Sequence, residues 1–70
     1  MAEAYVFRID GELSPELLDT FEPVDAVVEG GVTEFTCQVT DGAQLFGLVA
    51  RCETLGLRLV SLARSRPATV

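Results

Sequence analysis

At Asp41 the hydrophobic period of this chain changes from two to about 3.6. The run Val32 to Thr40, VTEFTCQVT, alternates: Phe35, Cys37 and Val39 on one side, Glu34, Thr36, Gln38 and Thr40 on the other. That is the pattern of a strand with one buried face. The next stretch, DGAQLFGLVARCETLGL, places Leu45, Leu48, Val49, Cys52 and Leu55 at spacings of three and four, one face of a helix. Asp41 is a suitable N-cap, because its carboxylate can accept from the free N–H groups of the first turn. Gln44 stands three residues on, where a capping box would send its side chain back to the cap N–H. Gly56 suits the left-handed residue that ends a helix, with Leu57 folding back toward Cys52. Gly47 lies mid-helix, where it is expected to mark close packing of helix on sheet, the alternative being backbone access for a ligand. Phe46 lies beside the apolar stripe.

The remaining elements follow from the same two periods. Tyr5 to Asp10 alternates, with Tyr5, Phe7 and Ile9 assigned to the core. In LSPELLDTFEP, Ser14 caps a short helix and Pro15 takes the first helical position. Leu13 can staple to Leu18 across the cap. Leu17, Leu18 and Phe21 form the buried side, while Glu16, Asp19 and Glu22 read as a solvated face. Pro23 stops this helix, and Glu22 before it is expected to be extended. Val24 to Glu29 reads as a second strand, and Gly30-Gly31 as a tight hairpin turn that needs positive φ. Arg58 to Arg64 reads as the last strand. Val60 and Leu62 are placed inward, and Leu59 and Ser61 on the other face. Residues 1 to 3 and the tail from Ser65 to Val70 are expected to be loose.

The order is β-α-β-β-α-β, the split βαβ pattern. The expected class is α+β: a ferredoxin-like two-layer sandwich, a four-stranded antiparallel sheet with two helices on one face. Right-handed crossovers place both helices together. The fold type implies strand order 4-1-3-2. The name is architectural, since an iron–sulfur cluster needs four ligands that this chain does not offer. All seventy residues form one domain, ordered from about residue 4 to 65.

From position 41 to 62 the wording DGAQLFGLVARCETLGLRLVSL resembles a group of short actinobacterial proteins. Asp41, Leu45, Gly47, Leu48, Arg51, Leu55, Gly56 and Leu57 carry the resemblance, and VTEFTCQVT is similar to their Thr-rich strand. The resemblance extends over roughly residues 5 to 64. The group often has His near position 46, where this chain has Phe46, so any role of that His does not transfer. The resemblance implies a compact intracellular domain and no particular activity.

Composition narrows the function classes. There is no His, so the commonest general base and metal ligand are both missing. Two Cys alone cannot complete a zinc site, and no metal or other cofactor is expected. Ser14 and Ser61 have no base to activate them, and the glycines form no phosphate loop. The net charge of −6 repels phosphate, which argues against nucleic acid and an anionic membrane surface. No apolar run reaches the ~18–20 residues of a membrane span. The stretch MAEAYVFRID lacks the basic and apolar regions of a signal peptide, so a cytoplasmic location is expected.

Cys37 lies four residues before Asp41 along a strand, about 13 Å at ~3.3 Å per residue. Cys52 lies eleven residues after it along a helix, about 16 Å at ~1.5 Å per residue. Both fall at a similar level of the core. They are expected as two buried thiols rather than a disulfide.

A core this small gives marginal stability, typically ~3–5 kcal/mol. Yet 49% of the residues are hydrophobic, more than a two-layer core easily hides. Self-association is therefore expected. The candidate interface is the sheet face away from the helices: Val6, Arg8, Val27, Glu34, Thr36, Gln38, Leu59 and Ser61. Arg8 and Glu34 could pair across neighbouring strands. The leading expectation is a non-catalytic interaction, regulatory or scaffold module that forms a homo-oligomer, with a dimer favoured, or binds a partner protein. The alternatives are an ACT-like small-metabolite sensor and a cofactor-free cyclase or isomerase, the latter requiring a closed apolar pocket between helices and sheet.

Overall fold

The computed structural model describes residues 2–65; the expectation for the tail beyond Ser65 lies outside the described residues. The elements run β1 (Glu3–Asp10), α1 (Pro15–Asp19), β2 (Asp25–Glu29), β3 (Val32–Val39), α2 (Gly42–Thr54) and β4 (Arg58–Arg64). The four strands form one sheet in the order β2-β3-β1-β4, which is 4-1-3-2 counted from the other edge, and every neighbouring pair is antiparallel. β1 begins at Glu3, two residues before the alternation becomes readable. Its first residue is tied down by Arg64, whose Nη1 lies 2.7 Å from the Glu3 carboxylate.

Alternation sorts the sheet into two faces. Phe7 lies opposite Phe35 and Ile9 opposite Thr33, all fully buried, with Cys37 and Val39 continuing the same face. The Phe7 and Phe35 rings stack at 5.1 Å, and Phe21 leans on Phe35 at 5.0 Å. Leu13, Phe21 and Cys52 close over them, with Leu17, Leu18, Leu45, Leu48, Val49 and Leu57 packed around. Both helices therefore bury against one side of the sheet.

Local signals account for the helix ends. The Ser14 hydroxyl accepts from the Leu17 N–H at 3.2 Å, and the Asp41 carboxylate from the Gln44 N–H at 2.8 Å. The Gln44 side chain does not return to the Asp41 N–H. It reaches one residue further, where Oε1 accepts from the Thr40 N–H and the Thr40 hydroxyl, both at 2.8 Å. At the C-terminus, Leu57 N–H donates to Cys52 O and Gly56 N–H to Glu53 O, with Gly56 at φ +73°. This pair of bonds is the Schellman arrangement. The hairpin turn at Gly30-Gly31 takes φ of +60° and +78°.

Besides the Gln44 contact, Glu3, expected loose, pairs with Val39, and Leu55, expected on the buried stripe, is exposed at the end of α2. Three further expectations need correction. The last strand carries a register shift: Ile9 pairs with Leu59 and Arg8 with Ser61, leaving Val60 as the extra residue of a bulge. Leu59 and Leu62, three apart, thus share the core side, and Val60 is 59% exposed. Glu22 is not extended but left-handed, at φ +52°, where the chain turns off α1 back to the sheet. The bias of a residue before proline is against the right-handed helical region, and this turn satisfies it by the opposite sign of φ. Finally, a Cβ on Gly47 would meet nothing within 4 Å. Gly47 lies on the exposed side of α2, so close packing does not explain it.

Candidate functional site

The open face of the sheet is built by strand parity. Residues of even number in β1 point away from the helices, and the pairing carries this across the sheet. One level runs Val27, Glu34, Arg8, Ser61 from β2 to β4. On one side of it lies the level Asp25, Thr36, Val6, Ala63, and beyond that Gln38 beside Ala4. On the other side lies Glu29, Val32, Asp10, Arg58.

Seven of the eight residues expected on this face are therefore brought together: Val6, Arg8, Val27, Glu34, Thr36, Gln38 and Ser61. Leu59 is not among them, because the bulge at Val60 turns it to the core side. Val32, Ala4, Ala63, Asp10, Asp25, Glu29 and Arg58 join the face. They follow from the same parity rule that identified Glu34 and Thr36, continued to the strand ends.

At the centre of the face Arg8 Nε lies 3.5 Å from the Glu34 carboxylate, with both side chains about half exposed. A pair this exposed contributes little to stability, typically under ~1 kcal/mol. Its effect is on pattern. Around it lie half-buried Val6, Val32, Thr36 and Ala4 and the exposed Val27. Charge is divided by strand: Asp25, Glu29 and Glu34 on β2 and β3, Arg8 and Arg58 on β1 and β4, with Asp10 the exception.

Elsewhere the chemistry is sparse. Both cysteines are free and buried. Burial raises both thiols above their ordinary value of 9.0, and Cys52 adds to the rise at Cys37. At Cys52 the neighbouring Arg51 opposes the rise without cancelling it. The Cys37 thiol donates to the Phe21 carbonyl at 3.5 Å. Neither thiol is poised as a nucleophile, since the reactive species is the thiolate. Among the described residues no group of three His, Cys, Asp or Glu could hold a metal ion. A shallow cleft lies at the start of α2, lined by Glu3, Tyr5, Val39, Thr40, Asp41, Gly42 and Leu45. It is open to solvent at the sheet's end, unlike a closed chamber between helices and sheet, and its Glu3 and Asp41 carboxylates already have partners. On the helix side Phe46 is 75% exposed, and no helix among the described residues is long and apolar enough to cross a membrane.

One residue that sequence reasoning passed over is structural. Thr33 is fully buried, and its Oγ1 donates to the Gly11 carbonyl at 2.8 Å while accepting from the Leu13 N–H at 3.0 Å. Its parity with Phe35 was the available signal.

Residues 4–63 match a family model described as a domain of unknown function (DUF8691). Neither the curated proteins nor the solved structures yield a match.

Proposed function

The chain belongs to the DUF8691 family, and from the geometry above we propose that it is a non-catalytic interaction module that self-associates through the open face of its sheet. In this reading the fold is of ferredoxin-like type, and the protein serves as a small scaffold, accessory or regulatory unit. The observation that carries it is one-sided coverage. Both helices pack over Phe7, Ile9 and Phe35, while Val6, Val27, Val32, Ala4 and Ala63 stand on the other face, where the described residues form no covering layer. Apolar side chains framed by charges are the usual make-up of a recognition surface. Two free buried thiols suit a reducing compartment such as the cytoplasm. The charge of −6 favours protein over nucleic acid as the partner in this reading.

Sedimentation equilibrium from about 10 μM to about 1 mM, where even weak dimers of mM-range Kd begin to populate, tests this. A dimer whose population falls when Val27 is replaced by Asp is the expected result. A monomer at every concentration overturns the proposal.

A further inference from the structure

We infer that two copies of this chain meet sheet to sheet about a two-fold axis parallel to the strands and lying between β1 and β3, so that Arg8 of each copy faces Glu34 of the other. The inference rests on the self-association proposed above and specifies its geometry.

A two-fold along the strands keeps every residue at its own level and exchanges columns. β3 of one copy covers β1 of the other, and β2 covers β4. The levels fixed by strand pairing then place Glu34 over Arg8 and, toward the rim, Glu29 over Arg58. Thr36 meets Val6, Val27 meets Ser61, and Asp25 meets Ala63. Two meetings set a carboxylate over an apolar side chain, Asp10 over Val32 at the centre and Asp25 over Ala63 at the rim. At the centre, each Arg8–Glu34 pair lies on its inverted copy, and four charges alternate in sign around a ring.

Two-folds through the central pair in other positions bring like charges together. An in-plane axis across the strands at the level of that pair keeps the columns, so Arg8 falls on Arg8 and Glu34 on Glu34; moved half a level it sets Arg8 over Asp10 but leaves Glu34 over Val32 and Glu29 over Val27, without ionic partners. An axis shifted onto β1 or β3 also superposes one of these residues on itself. Such juxtapositions suppress a pairing mode strongly. The sheet edges are guarded too. Antiparallel pairing of β2 with a second β2 about Val27 sets Asp25 opposite Glu29. The bulge at Val60 further blunts the β4 edge. Joining β2 to β4 is heterologous and does not close with a two-fold.

The footprint is about 19 Å across four strands and about 20 Å along them, on the order of 400 Å², below the ~800 Å² per partner of a standard interface. The dimer is accordingly a weak one, and its specificity rests on the charge pattern.

The test is a charge swap. Wild type, the single variant Glu34→Arg, and the double variant Arg8→Glu/Glu34→Arg are compared by sedimentation. One of wild type and the double variant is then isotope-labelled, and the two are mixed and weighed by native mass spectrometry. Far-UV circular dichroism and thermal melts check that each variant folds, which half-exposed positions permit. The single variant should associate at least about ten-fold more weakly than wild type. The double variant should dimerise with itself, because the swap restores both the internal pair and the facing pair. Mixed dimers of wild type with the double variant should be depleted well below the statistical half. In them Arg8 of the wild-type copy faces the new arginine of Glu34→Arg, and Glu34 faces the new glutamate of Arg8→Glu. Mixed dimers at the statistical fraction, or a single variant that dimerises as wild type does, overturn the axis and leave sheet-face association standing. A wild type monomeric throughout removes both.

Discussion

Thr33 has a small hydroxyl with two backbone partners and no access to water. It joins the loop after β1 to the start of β3, holding Gly11 and Leu13 in place. Replacing it with the isosteric Val keeps the volume and strands both backbone groups, each worth ~1–3 kcal/mol when buried and unsatisfied. Thr33→Val should therefore lower unfolding stability by about 3 kcal/mol in a urea titration, a large part of the total for a domain of this size. A change below ~0.5 kcal/mol would show that the hydroxyl is idle. Gly47 is the opposite case. It has ordinary helical geometry and open space where a Cβ would go. Gly47→Ala should stabilise by up to ~1 kcal/mol. That raises the melting temperature by about 4–8 °C. No gain would mean that the position is held by a contact made only outside the single chain.

Helix α1 has five residues, too few to be stable alone. It is held by its cap, by Leu17 and Leu18, and by one clasp from α2. Arg51 Nη1 donates to the Thr20 carbonyl at 2.8 Å, and its guanidinium lies 5.1 Å from the centre of the Phe21 ring. Arg51→Ala should cost about 1 kcal/mol and speed amide exchange at Thr20 to Glu22 more than in the sheet. Arg51→Lys keeps the charge but not the planar stacking, and should recover only part of the protection. Uniform exchange across all elements would instead place the effect in global stability. Elements whose cause is local are legible in the sequence. Ser14, Asp41 and Gly56 announce helix ends, and VTEFTCQVT states its own faces. The bulge in RLVSLAR was not legible, because Leu59 and Val60 are equally apolar neighbours and only pairing with Arg8 and Ile9 decides between them. Alternation alone therefore puts Leu59 on the open face instead of the core side, whereas it places the other seven residues there as the pairing does. The left-handed turn at Glu22 is not legible either, because the pre-proline bias excludes one region without selecting among the rest.

At the scale of the whole molecule, the described residues form two layers where the composition asks for more apolar shelter. Val24, Val27, Val28, Phe46, Leu55 and Val60 are all substantially exposed. If the open face is covered by a second copy, binding adds to folding by mass action. For a dimer with a mM-range Kd, the melting temperature should then rise by roughly 1–2 °C between about 10 μM and about 1 mM protein. Val27→Asp should flatten that dependence while leaving the dilute-limit melting temperature nearly unchanged. A wild-type melting temperature independent of concentration counts against the proposed association.

Val60 is a surplus link in the last strand. It has no opposite number on β1, and its neighbours on either side already hold their stations. Cutting it out should let Leu59, Ser61 and Leu62 close ranks against Ile9, Arg8 and Phe7 without turning a single side chain over. Excision of Thr36 from the middle of β3 would, by contrast, reverse half that strand. A chain of sixty-nine residues lacking Val60 should thus still melt cooperatively, whereas one lacking Thr36 should not; equal damage from both cuts would show that the extra residue is indispensable.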